Sequence, residues 1–143
     1  MEKFLTRLQA YHAMIRFLEI YYEQTNSDDF GSLLGEMDFL QDGSTADPAS
    51  WFNWIKSVQT IQNREEENLT ILQSFKAMRR FLEIYHEQTS SLDTLSLLKD
   101  SQILQDESVA DNTKWINWNK CVDAVLVETN NEHYKFLLKK SNN

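Results

Sequence analysis

Phe17-Leu18-Glu19-Ile20-Tyr21 reappears residue for residue as Phe81-Leu82-Glu83-Ile84-Tyr85, an offset of 64. The same offset carries Glu23-Gln24-Thr25 onto Glu87-Gln88-Thr89 and Leu40-Gln41-Asp42 onto Leu104-Gln105-Asp106. It also places Trp51, Asn53 and Trp54 on Trp115, Asn117 and Trp118. Leu8–Gln62 aligns with Leu72–Leu126 without a gap, and 29 of the 55 positions are identical, far beyond chance. The chain therefore reads as a tandem duplication. We expect a first helical repeat over 1–64 and a second over 65–143, the two sharing one compact pseudo-symmetric domain.

Each unit reads as helix, short helix, loop, helix. Phe4, Leu8, Tyr11, Ile15, Leu18 and Tyr22 recur at alternating spacings of four and three, and Met14, Phe17 and Tyr21 widen the stripe. Leu72, Phe75, Met78, Phe81, Leu82 and Tyr85 repeat it. Ser27 before Asp28-Asp29 is an N-cap with acids in the first helical turn. Leu33-Leu34 is the buried edge of that short helix, and Gly35 is placed to end it. Asp42-Gly43-Ser44 is turn chemistry. Asp47-Pro48 starts the next helix, with Asp as cap and Pro at the first helical position. That helix runs through Trp51, Trp54, Ile55, Val58 and Ile61, and its counterpart through Trp115, Trp118, Val122, Val125 and Leu126. Gln62 to Asn68 is either a polar turn or an uninterrupted helical connection. Glu132 to Lys140 suits one more short helix. The expected fold is all-α: a bundle of two tandem three-helix repeats plus a short C-terminal helix.

Composition narrows the function classes. Of 143 residues, 22 are acidic and 14 basic, a formal charge of −8. That balance disfavours nucleic acid and anionic membranes as partners and suits a basic protein. Three Gly and one Pro are too few for a turn-rich β-sandwich. A single cysteine, Cys121, excludes an internal disulfide framework and fits a reducing compartment. The first residues turn polar too early for a signal peptide, and no apolar run approaches a membrane span. A cytoplasmic protein is expected.

The differences between the copies point to separate roles. Ile15 becomes Arg79 and Tyr22 becomes His86, seven residues apart on one helix face. Phe30 becomes Thr94, Ile55 becomes Asn119 and Gly35 becomes Lys99. The first copy's matched window holds two basic and eight acidic residues, a net of −6, whereas the second holds six and eight, a net of −2. An apolar, acidic first copy has the character of a partner-binding face. The plainer alternative is that Ile15 and Tyr22 are buried by different neighbours.

Catalytic patterns are sparse, and no catalytic residue, metal site or cofactor is assigned. There is no glycine-rich phosphate loop, zinc-ligand spacing or nucleophile elbow. Glu83-x-x-His86 resembles half of a di-iron motif, but the other copy offers Glu19 and Tyr22. Arg80 and His86 resemble the Arg-x4–6-His signature of HEPN ribonucleases, here filled with core residues. Trp51 and Trp54 suit the core. Cys121 replaces Ser57, so the fold does not require it as a nucleophile.

Phe17 to Thr25, Ser27-Asp28-Asp29, Gly31-Ser32-Leu33-Leu34-Gly35, and Asp42 to Ala49 followed by Trp51 and Trp54 form one string. It resembles small helical immunity proteins encoded beside bacterial polymorphic toxins of the contact-dependent growth inhibition and Rhs type. The second copy lacks Gly31, Gly35, Gly43 and Pro48, so there the resemblance is looser. The resemblance implies a non-enzymatic antitoxin that occludes the active site of a cognate toxin C-terminal domain, a basic nuclease. The residues expected to contact it are Asp28, Asp29, Glu36, Asp38, Asp42 and Asp47, with Tyr22 and Phe30 as apolar anchors. The competing classes are a HEPN-like RNA-cleaving protein and a helical adaptor. The duplication also suggests an ancestor that paired with itself, making this chain a fused pseudo-dimer.

Overall fold

The computed structural model describes residues 3–62 and 68–129. Among them lie two short strands and six helices. They are β1 (Phe4–Thr6), α1 (Arg7–Thr25), α2 (Asp28–Met37), α3 (Pro48–Ile61), β2 (Asn68–Thr70), α4 (Ile71–Thr89), α5 (Leu92–Asp100) and α6 (Asn112–Thr129). The protein is mostly helical, as the sparse Gly and Pro imply. Every element of the second half begins 64 residues after its counterpart in the first. The expected helix over 132–140 lies outside the described residues.

Capping chemistry sets the helix ends. Thr6 accepts the Gln9 amide N–H while the Gln9 side chain accepts from the Thr6 N–H, a capping box that Thr70 and Gln73 repeat. Both long helices end on a left-handed residue, Asn26 at φ 52° and Ser90 at φ 57°. Ser27 and Ser91 cap α2 and α5, and Asp47 caps α3 ahead of Pro48. Gly35 does not end its helix; α2 continues to Met37, where Asp38 turns extended.

The loops after α2 and α5 share one geometry despite different residues. Phe39 bridges Thr45 and Ile103 bridges Val109, while Asp42 and Asp106 each accept from the backbone and hydroxyl of the serine two residues on. Gly43 sits at φ 86°, and Glu107 adopts the same left-handed region at φ 66°.

The sequence pattern did not disclose the ribbon. Phe4 pairs with Thr70, Leu5 with Leu69 and Thr6 with Asn68, antiparallel. Leu5 thus faces its own counterpart, and both are fully buried. Phe4, read as the first residue of the helical stripe, belongs to β1 and is half exposed. A three-residue strand is too short to show a period of its own. Gln62 is extended and Asn68–Thr70 is strand, so an uninterrupted helix across this stretch does not form; residues 63–67 lie outside the described residues.

Packing crosses between the halves: α1 lies along α6, and α3 along α4. Phe17 of α1 meets Trp118 of α6 edge-on at 5.4 Å between ring centroids, and Trp54 of α3 meets Phe81 of α4 at 6.3 Å. Both tryptophans are fully buried with their N–H groups satisfied. Trp54 Nε1 donates to the Arg7 carbonyl at 2.9 Å. Trp118 donates to Ser74 Oγ at 3.1 Å, and that hydroxyl donates on to the Ile71 carbonyl, the counterpart of Arg7.

Candidate functional site

The residues singled out in the first half fall along α2 and the loop leading to α3. Asp28 and Asp29 open α2. Asp28 is exposed, whereas Asp29 is half-buried and accepts the Ser91 hydroxyl at 2.7 Å. Its reciprocal is Ser27, whose hydroxyl donates to Asp93 at 2.5 Å while accepting the Phe30 amide as cap. Asp29 is therefore engaged within the protein, and Asp28 is exposed.

At the other end of α2, Glu36 and Asp47 flank a cleft of about 30 Å³ whose floor includes Leu33, Phe81 and Tyr85. The Asp47 amide and the Ser50 hydroxyl both donate to the Glu36 carbonyl, pinning the start of α3 to the end of α2. Partial burial, and behind it the Asp47 carboxylate, hold Glu36 above the ordinary carboxylate range. Asp47 also accepts the Ala49 amide as N-cap. Asp38 is exposed and accepts its neighbour's amide, from Phe39. Asp42 sits fully exposed at the loop tip, held below the usual range by the hydrogen bonds from Ser44. The six acids thus form two groups, one at each end of a ten-residue helix roughly 15 Å long.

The two aromatic candidates part company. Tyr22 is 39% exposed, and its ring lies over Gly31, where an added Cβ would come within 3.3 Å of it. In the second half, Leu95 replaces that glycine and His86 replaces the tyrosine, so the two positions differ together. Phe30 is a correction: it is 3% exposed and belongs to the core, so it is no surface anchor. It shares with Leu33 and Met37, three and seven residues on, the face of α2 that packs inward.

Among the exposed apolar residues that the pattern passed over are Leu92 at 75% and Phe52 at 64%. Both were visible in principle. Leu92 directly follows the Ser91 cap, at a position where Asp28 stands in the first half. Phe52 falls outside the Trp51-Trp54-Ile55-Val58 stripe, and Lys56 lies over its ring at 5.6 Å.

Charge compensation separates the halves most sharply. Among the described residues, none of the eight acids between Leu8 and Gln62 forms an ion pair. Five of the eight in the matching window do: Glu83, Glu87, Glu107, Asp111 and Asp123. The first half's own Lys3 and Arg16 reach across to Asp123 and Glu128 of the second. Such surface pairs stabilise little, about 0–1 kcal/mol each, but they cancel local field. Among the described residues, the acids of the first half keep theirs.

The residues that suggested chemistry are occupied with structure. Arg80 pairs with Glu83 and Glu87, and His86 Nδ1 lies 2.9 Å from the Ser91 carbonyl. Burial pushes the Cys121 thiol up to about 11, well away from thiolate reactivity at neutral pH. Among the described residues no three His, Cys, Asp or Glu side chains are grouped to hold a metal, and no helix is long and apolar enough to cross a membrane. No family model, curated protein or solved structure matches this chain.

Proposed function

We propose that this chain is an immunity protein that binds a basic toxin domain and blocks its active site through the acidic surface of the first half. In this reading the chain is a duplicated three-helix unit working in the cytoplasm. The second half is the complement that completes the core, and the first half is the face presented to the partner. The observation that carries the reading is the uncompensated charge: the acids between Glu19 and Asp47 lack ion-pair partners among the described residues. A nuclease concentrates Lys and Arg where its polyanionic substrate docks, and an acidic surface competes for that place. Complementary charge speeds encounter and selects the partner, while desolvated contacts slow dissociation.

The contact set that supports this reading is Asp28, Glu36, Asp38 and Asp42, with Tyr22 as the apolar member. Asp29 and Asp47 serve folding through the Ser91 hydroxyl and the α3 cap. The test is co-expression and co-purification with the protein encoded immediately before it, followed by a toxicity assay. A stable complex and rescue of growth support the proposal. Absence of both counts against it.

A further inference from the structure

The interface between the halves has the character of an obligate contact between two chains. Each half buries the stripe of its first helix on the third helix of the other, α1 on α6 and α4 on α3. The contacts span the length of these helices, from Gln9 Nε2 donating to Thr129 Oγ1 at 2.7 Å to Asn117 Nδ2 donating to the Tyr21 hydroxyl at 3.1 Å. The β1–β2 ribbon and the paired Ser–Asp hydrogen bonds between α2 and α5 close the remaining sides, and both are reciprocal under the offset of 64. Residue i meeting j, with the counterpart of j meeting the counterpart of i, is the signature of an isologous two-fold interface.

The covalent connection contributes at a place that is already closed. Gln62 Nε2 donates to the Asn68 carbonyl at 2.7 Å, so the two flanks of residues 63–67 are held together by their own side chain and backbone. At the equivalent place in the other half, Thr129 at the end of α6 accepts from Gln9 in the first turn of α1. The contacts around the junction are thus made at both places.

We infer that residues 3–62 and 68–129 form a helix-exchanged pair held by their interface and not by the connection, so that each half is a binding surface for a second unit-length chain. The inference stands on packing and is independent of the toxin-binding reading. Aromatic and aliphatic side chains buried across an interface are what hold obligate two-chain assemblies without a tether. The tether supplies effective concentration only.

The experiment places a specific protease site within residues 63–67 of the full-length protein and cuts it after folding. The cut protein is expected to elute as one species at the volume of the intact one at micromolar concentration, with its helical circular dichroism retained. Its melting temperature should become dependent on protein concentration, because unfolding now releases two chains. Separation of the fragments, loss of the helical signal, or a melting temperature that ignores concentration would overturn the inference. A circular permutant provides the second measurement. It joins Asn143 to Met1 through the chain's own terminal residues and opens between Gln62 and Asn68. Retained helicity and cooperative melting are expected, and an unfolded permutant would contradict the exchange of roles between the junctions.

Discussion

The Ser27 hydroxyl donates to the Asp93 carboxylate at 2.5 Å, and Ser91 donates to Asp29 at 2.7 Å in mirror fashion. Each serine simultaneously accepts an amide of its own helix, Phe30 or Thr94, so one hydroxyl both caps a helix and ties the halves together. Replacing Ser27 by Ala removes a cap and a charge-assisted hydrogen bond, an expected loss of about 1–3 kcal/mol. Urea unfolding of Ser27→Ala measures it. Asp28→Ala, at an exposed first-turn acid, is expected to lose about 0.5 kcal/mol. Equal losses for the two would separate the hydroxyl from any role between halves.

Tyr11 illustrates how the copies diverged inside. Its hydroxyl donates to the Met37 carbonyl at 2.8 Å in a fully buried setting, whereas the equivalent Phe75 has no hydroxyl to give. Tyr11→Phe leaves that carbonyl unpaired and is expected to cost about 1–3 kcal/mol in thermal or chemical unfolding. A variant as stable as the parent would show that Met37 needs no donor there.

Glu107 occupies the left-handed backbone that Gly43 occupies in the first half. A side chain in that region costs about 1–2 kcal/mol, while its ion pair with Lys76 is exposed and worth little. Glu107→Gly is therefore expected to stabilise the protein by about 0.5–1 kcal/mol after the added entropy of the unfolded chain. Calorimetry decides it, and a lowered melting temperature would refute the strain.

His12 gives stability a pH dependence. Burial first, then the nearby Arg16, lowers its pKa below the ordinary 6.5, and its ring rests 5.1 Å from that of Phe39. The unfolded chain then binds a proton at a pH where the folded one does not, so this contribution to stability is present above pH 6.5 and is lost as pH falls toward the lowered value. The slope of unfolding free energy between pH 7 and 5 should shrink in His12→Gln. An unchanged slope would assign the dependence to other groups.

Much of the fold was legible because burial writes periodicity into the chain. The stripe from Leu8 to Tyr21, the Ser27 and Asp47 caps and the Asp42-Gly43-Ser44 turn all reappear at the positions their chemistry dictates. Phe4 was misread because a strand of three residues carries too few positions to distinguish its period from that of the helix it precedes. Which helix lies on which was not legible. Trp54 and Trp118 are identical in type and spacing, so nothing local says that α3 belongs with α4 and α6 with α1. At the candidate surface the acids were chosen from composition, and Phe30 was misplaced because a phenylalanine beside two acids reads equally as anchor or as core. The ion-pair asymmetry needed coordinates, since Lys3 meets Asp123 and Arg16 meets Glu128 across more than a hundred residues.

The most direct test of the central claim is the affinity of the neighbouring toxin domain for the Asp28→Asn, Glu36→Gln, Asp38→Asn, Asp42→Asn variant, measured by titration calorimetry against the parent. These substitutions keep size and an acceptor oxygen at each site while removing charge, and they spare Asp29 and Asp47, which bond Ser91 and cap α3. The account predicts a loss of about 2–5 kcal/mol or more in binding, and a parent affinity that falls with added salt. Unchanged affinity with a fully folded variant would contradict it and move the interface away from the first half's acids.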